Sequence, residues 1–337
     1  MNPTTKVSAT VIASYCCAAL ALFLVLKAGL LVALFSGLLL YSLVRLLVPT
    51  IQRRFSNQQA RLIAVAFLSG VIILALSLGI WGIVAFLRGD SGNAHSLSLK
   101  LAEMIEASRQ QLPAWISSNL PEDVEALKRI VIDALREHAG EAKVVGQEAG
   151  HLIVHLLLGM IIGSMLALQD MRSVHQYKPF AAALHQRVAT LAEMFHRVVF
   201  AQVRISMINT VFTSVFLAVI LPLSGVQLPL VKTMIAITFI AGLIPVIGNI
   251  ISNTVIVIVS LSHSMQMAAI SLTYMVVIHK LEYFLNARII GSQVNARAWE
   301  LLIAILVMET LFGLPGVVAA PVFYSYVKRE LSEQGLV

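Results

Sequence analysis

Charge is the scarcest commodity in this chain: 17 Asp+Glu and 24 Lys+Arg among 337 residues, or 12% charged. Ordinary soluble domains carry about 25%. A soluble enzyme of this length would need a far more polar exterior than these residues can supply. Cysteine is scarcer still. Cys16 and Cys17 are the only two and are adjacent inside an apolar run, which excludes a structural disulfide or a four-ligand metal site. Catalytic signatures are missing as well: there is no Gly-x-x-x-x-Gly-Lys-Ser/Thr loop for ATP, no His-Glu-x-x-His and no Gly-x-Ser-x-Gly elbow. No enzymatic activity and no cofactor is therefore expected. Basic residues are dispersed between apolar runs rather than interleaved with aromatics on one face, which argues against a nucleic-acid platform despite a net charge of +7.

What remains is apolar. Hydrophobic residues make up 58% of the chain and the mean hydropathy is +0.87, so lipid is the expected solvent. A bilayer core about 30 Å thick needs roughly 20 apolar helical residues. Runs at 9–26, 28–48 and 62–87 meet or approach that length, the third with Trp81 near its end, where an aromatic ring suits the headgroup layer. Lys6 resembles the basic start of a signal peptide, but no polar mature start separates the first two runs, and a retained helical hairpin is expected. Further runs follow at 151–168, 205–221, 228–244, 246–261, 265–278 and, interrupted, 301–327. The fold class expected is all-α: a polytopic membrane protein of about eight transmembrane segments, including one or two re-entrant or interrupted hairpins, plus a helical extramembrane insertion.

That insertion spans 88–150 and separates an N-terminal three-helix region (1–87) from a C-terminal transport region (151–337). Residues 88–148 hold seven Lys/Arg and ten Asp/Glu, too many for hydrocarbon. From Pro121 to His138, Val124, Leu127, Ile130, Val131 and Leu135 repeat at helical spacing and form one docking stripe. In the run at 151–168, Gly159 and Gly163 lie four apart, a spacing that lets two helix backbones approach closely in lipid. Residues 174–203 form an expected amphipathic helix along the membrane surface, with Phe180, Leu184, Val188, Leu191, Phe195 and Val198 on its apolar face and Arg187 and Arg197 elsewhere. Basic residues retained on the cytoplasmic side set the orientation. Arg45, Arg53, Arg54 and Arg61, the 172–204 segment, and Lys280, Arg288 and Arg297 fall inside, the 88–150 insertion falls outside, and both termini are cytoplasmic.

Lys328 and Arg329 then require the chain after Glu300 to enter and return on one side. Gly313-Leu314-Pro315-Gly316 splits 300–327 in a way that suits such a hairpin. A related break, Gly242 to Asn249 around Pro245, divides 228–261 into two arms, which are either two spans or a hairpin entered from the opposite face. Interrupted segments of this kind free backbone groups that only protein or a wet cavity can satisfy, and they point to a transporter substrate site. The competing reading is an ordinary Pro/Gly turn at the membrane surface.

Three stretches carry a resemblance: Gly242-Leu-Ile-Pro-Val-Ile-Gly248, Leu285-Asn-Ala-Arg-Ile-Ile-Gly291, and Phe312-Gly-Leu-Pro-Gly-Val-Val-Ala-Ala-Pro321. With the layout of three helices, an external insertion and a denser C-terminal half, the chain resembles the autoinducer-2 exporter family of bacterial inner-membrane proteins. The resemblance implies a secondary exporter or permease of a small solute such as autoinducer-2, with sodium–proton exchange in some members and assembly as a homo-oligomer, pentameric in form. Ala287 stands where the family has Pro, and the family's His-Pro pair is absent near Arg297 and Ala298.

Several residues are candidates for the transport chemistry. Glu309, beside Thr310 and ahead of Gly313, Pro315 and Gly316, is an ionisable group in an apolar run, where it either binds a proton or sodium ion or sits paired in a subunit contact. Pro245, Gly248, Asn249, Ser252 and Asn253 form the other tip, their amides and hydroxyl suited to a polyhydroxylated solute or to a helix cap. Glu282, Asn286 and Arg288 form either a gate or a solvated loop. Lys232 is expected to snorkel. His151 and His155 share a helix face but lack a third ligand, so no metal is expected. The leading expectation is a gradient-coupled secondary transporter acting through Glu309, with the bilayer, the solute and H+ or Na+ as partners. A non-transporting scaffold and a channel are the alternatives.

Overall fold

A computed structural model describes residues 9–88, 139–169, 177–244, 247–261, 263–294 and 296–336. Ten helices account for nearly all of them: α1 Ala9–Lys27, α2 Leu31–Ile51, α3 Asn57–Arg88, α4 Ala139–Gln169, α5 Pro179–Val215, α6 Val231–Gly242, α7 Ile247–Leu261, α8 Met265–Val294, α9 Ala298–Phe312 and α10 Leu314–Glu333. No strand occurs among the described residues. The stripe expected at 121–138 lies outside them, as does Pro245.

Five helical stretches are long and apolar enough to cross a membrane: Ala9–Lys27, Leu31–Ile51, Asn57–Gly82, Gln147–Gln169 and Pro179–Leu223. Lipid-facing surface is what their composition demands. Leu62, Phe67, Val71, Leu74, Leu78 and Trp81 of α3 all lie exposed. The apolar stretches at α6, α7 and α8 are shorter. At 12 and 15 residues, α6 and α7 reach only about 18 and 22 Å at 1.5 Å per residue.

The close approach expected at Gly159 and Gly163 occurs, and its partner is α2. A Cβ at Gly159 would collide with the carbonyl oxygen of Ala33 and with Ser36 Oγ, and one at Gly163 would strike the backbone of Gly37. Ser36 Oγ donates across the seam to the Leu156 carbonyl at 3.0 Å. Leu40, Val44 and Val48 then pack with Ala60 and Ala64 of α3 and with Met160 and Ala167 of α4.

The amphipathic segment differs from expectation. It does not end near residue 203: α5 runs on through a π-helical turn, Phe216–Ile220, into Leu221–Leu223 as one 45-residue helix. Pro222 withholds an N–H from that turn, which a widened π register accommodates. Leu191, Phe195 and Val198 are buried as the stripe requires, but Phe180 and Val188 are exposed. α5 serves as the spine of the bundle. Its first half packs with α1, α2 and α10 around Leu26, Leu38, Phe195, Val322 and Phe323. Its second half packs with α6, α7 and α8 around Phe216, Leu217, Met234, Ile256 and Met275.

Arg187, off the apolar stripe, is nevertheless buried. It is 4% exposed and paired with Glu330 of α10. Its Nη1 donates to Tyr15 Oη at 2.6 Å, and the Tyr15 hydroxyl donates to Glu330 Oε2 at 3.3 Å. A buried charge so deep persists only with such a partner.

Candidate functional site

Polar side chains inside an apolar bundle must find partners or water. On α5, Gln202, Ser206, Asn209 and Thr213 follow at intervals of four, three and four residues, which puts all four on one helix face. All four are buried against the α6–α7 hairpin and its neighbours. The arrangement follows from the hairpin's broken geometry. The last carbonyls of α6 lack intrahelical donors, and α5 supplies them. Gln202 Nε2 donates to the Gly242 carbonyl at 2.8 Å, and Ser206 Oγ to the Phe239 carbonyl at 2.7 Å.

Gly242 admits this approach, since a Cβ there would sit 2.7 Å from Ser206 Oγ. Gly248 does the same within the hairpin, where a Cβ would strike the Ala241 carbonyl.

Deeper along α5, Asn209 Nδ2 donates to Asn249 Oδ1 at 3.2 Å. Asn249 Nδ2 in turn lies 3.4 Å from Nδ1 of His279 on α8. If the Asn249 amide donates, Nδ1 is the acceptor and the imidazole proton belongs on Nε2. Ser252, 1% exposed, donates through Oγ to the Asn249 carbonyl at 3.3 Å. Asn253 is half-buried on the same helix. Thr213 closes the row. Its Oγ1 is buried and has no hydrogen-bond partner among the described residues, and it sits one turn before the π-helical turn, where Tyr274 stacks on Phe216 at 4.1 Å and the Tyr274 hydroxyl donates to the Phe212 carbonyl at 3.0 Å.

The second tip is built differently. Gly313 takes φ +62° between α9 and α10, a conformation that glycine adopts without penalty. Gly316 lets the two arms touch, since a Cβ would strike the Met308 carbonyl, and Pro315 occupies the first turn of α10. Glu309 and Thr310 are exposed on α9 alongside exposed Leu302, Ile303, Leu306 and Leu311. Thr310 Oγ1 donates to the Leu306 carbonyl at 2.8 Å. At the open end, Glu300 caps α9: its Oε2 accepts from the Arg297 N–H at 3.2 Å, from Tyr324 Oη at 2.6 Å and from Lys328 Nζ. The Lys328 ammonium, then the Tyr324 hydroxyl, hold the Glu300 carboxyl down from 4.5 to about 2.

The expected site residues therefore divide. Gly248, Asn249 and Ser252 join one buried polar network, whereas Glu309 and Thr310 face outward on another hairpin, and no described hydrogen bond or ion pair links the two. Of Glu282, Asn286 and Arg288 the structure gives the α8 backbone only. Lys232 is exposed. No group of three or more His, Cys, Asp or Glu among the described residues could hold a metal. Gln202, Ser206, Asn209, Thr213 and His279 were not singled out from the sequence. For the four on α5 the signal was present in the four-three-four spacing of polar residues leading into the apolar run at 205–221, whereas His279 left none.

Comparison with known protein families supplies the deciding observation: the model of the AI-2E family transporter matches residues 11–333. The chain belongs to the AI-2E family. It is thus a multi-pass membrane protein of a transporter family, and the match takes in both broken hairpins and the whole of α5. No curated protein and no solved structure matches the chain.

Proposed function

We propose that this AI-2E family member is a secondary exporter of a small hydrophilic solute such as autoinducer-2, and that the solute passes along the polar row of α5 beside the α6–α7 tip. One observation carries the reading: four hydrogen-bonding side chains, buried on one face of α5, lie along a hairpin that is broken at Gly242–Gly248, and one of them, Thr213, has no hydrogen-bond partner among the described residues. A hydroxyl without a partner in a dry interior costs about 1–3 kcal/mol. A polar solute or the water that replaces it relieves that cost. The amides of Asn209 and Asn249 and the hydroxyls of Ser206, Ser252 and Thr213 can each donate and accept, as the hydroxyls of a polyhydroxylated molecule do, so such a solute can exchange with their protein partners.

Under this reading both interrupted hairpins are re-entrant and approach from opposite faces. The length of α6 and α7, each shorter than the bilayer core, supports that for 228–261. For 300–327 the support is the edge-to-face contact of Phe312 with Phe23 at 5.9 Å, which sets the Gly313 tip beside the last two turns of α1. Glu309 is the coupling residue, binding H+ or Na+. An outward-facing carboxylate among exposed leucines is costly against acyl chains, so a neighbouring copy in a homo-oligomer of the bacterial inner membrane covers it. The termini are cytoplasmic and 88–150 lies outside.

Solute flux in proteoliposomes tests this. Asn209→Ala and Asn249→Ala should each lower flux at least tenfold with oligomer size unchanged, and Glu309→Gln should abolish the dependence on the gradient. Wild-type flux in both asparagine variants would remove the pathway. Absence of flux in the wild-type protein across solutes would favour a scaffold, and conductive, non-saturating flux a channel.

A further inference from the structure

Two clefts flank one arginine at the end of α2, away from the polar row. The first, of about 260 Å³, lies between α2, α3 and α4 and is lined by Tyr41, Val44, Arg45, Val48, Arg61 and Ala167. The second, of about 380 Å³, lies between α2 and α5, with Ser42, Leu46, Glu193 and His196 among its walls. Arg45 borders both. It is exposed, and no hydrogen bond or ion pair engages it among the described residues. Arg61 is held in place: its Nη1 donates to the Ala167 carbonyl in the last turn of α4 at 2.7 Å, and its Nε reaches Asn57 Oδ1 at 3.5 Å. Glu193, on the wall of the second cleft, is paired with Arg197 at 2.6 Å.

We infer that the cleft between α2, α3 and α4 binds the phosphate of an anionic phospholipid headgroup, with Arg45 and Arg61 as its ligands. Two guanidinium groups bordering one cleft offer planar, charge-assisted donors of the kind that phosphate oxygens accept. Basic pockets between transmembrane helices are where such headgroups settle. The surroundings favour a lipid over free phosphate. The same cleft has apolar walls at Val44 and Val48, and Leu46, Leu62 and Ile63 lie exposed on the neighbouring helix surfaces to receive acyl chains. At about 260 Å³ the cleft is smaller than pockets for drug-sized ligands, which start near 300 Å³, and this suits a headgroup whose tails remain in the bilayer. The clefts neither contain nor contact Asn209, Asn249 or Glu309, so this inference stands apart from the transport pathway.

Lipid retained by the purified full-length protein, measured by native mass spectrometry after exchange into mixed phosphatidylglycerol–phosphatidylcholine nanodiscs, tests it. The wild-type protein should retain phosphatidylglycerol in preference to phosphatidylcholine. Arg45→Gln should weaken that retention about tenfold, as loss of a charge-assisted bond predicts, and Arg45→Lys should recover only part of it. Arg53→Gln with Arg54→Gln, in the exposed turn after α2, should leave it unchanged. Retention in Arg45→Gln equal to wild type would overturn the assignment. So would displacement of the lipid by millimolar inorganic phosphate, which would mark the cleft as a site for the free anion.

Discussion

Two seams of this bundle solve the same problem with opposite chemistry. Between α2 and α4, glycines at 37, 159 and 163 bring backbones together, and Ser36 supplies the one hydrogen bond described across the seam. Between α5 and the α6–α7 hairpin, amides and hydroxyls do the joining, through Gln202, Ser206, Asn209 and Asn249. Lipid gives helices no hydrophobic reason to associate, so contact must come from packing or from polar pairing. In the first, backbone presses on backbone at Gly37, Gly159 and Gly163, with no room for even a methyl group. The second keeps groups that can exchange partners, which is what a path for a polar solute requires.

The largest effect should come from breaking the glycine seam. Gly159→Leu or Gly163→Leu forces a side chain into the backbone of α2, which cannot yield as a flexible side chain would, and should cost about 3 kcal/mol or more. Thermal unfolding in detergent would register this as lost folded protein. Gly70→Leu, at a position with open space around it, should leave stability unchanged and serves as the control.

The next effect sharpens the contrast. Asn209→Ala should lower flux at least tenfold yet cost only about 0.6 kcal/mol of stability, the average for a polar contact between membrane helices. Equal losses of stability in Asn209→Ala and Gly159→Leu would mean that both seams are structural. Thr213→Val comes third. In a dry seam, removing an unpartnered hydroxyl should stabilise by about 1 kcal/mol; in a hydrated seam, thermal stability should not rise and flux should fall.

Acid gives the smallest effect. Glu300, held near pKa 2 by Lys328 and Tyr324, favours the folded clasp of α9 on α10 at any pH above its ordinary 4.5. That contribution fades only as the pH falls from 4.5 towards 2. Solvent accessibility of the thiol in Leu301→Cys, at a buried position of α9, should thus be unchanged from pH 7 to 5 and should rise below about 4.

How much of this could be read beforehand follows from the range of the interactions. The Gly159/Gly163 spacing announced a close approach because it is a local pattern, but Gly37 as the partner needed the tertiary fold. The breaks at Gly242–Gly248 and Gly313–Gly316 were legible from proline and glycine alone. Arg187 was not: periodicity set it off the apolar stripe, and only Glu330, 143 residues away, and Tyr15 explain its burial. Gln202, Ser206, Asn209 and Thr213 escaped notice because the amphipathic segment and the following apolar run were divided near residue 204, and the division cut their common face. Asn249 and Ser252 were found as polar residues after a helix break, whereas their link to Asn209 and His279 is long-range and left no local mark.

The most direct test is the reactivity of position 213. With Cys16 and Cys17, both exposed, replaced by Ser, a Thr213→Cys protein in membranes should react with a small hydrophilic thiol reagent, and transported solute should slow that reaction. Leu40→Cys, beside the glycine seam, should stay inert. If the thiol introduced at position 213 is as inert as the one at position 40, with and without solute, the row on α5 is dry and does not carry the solute.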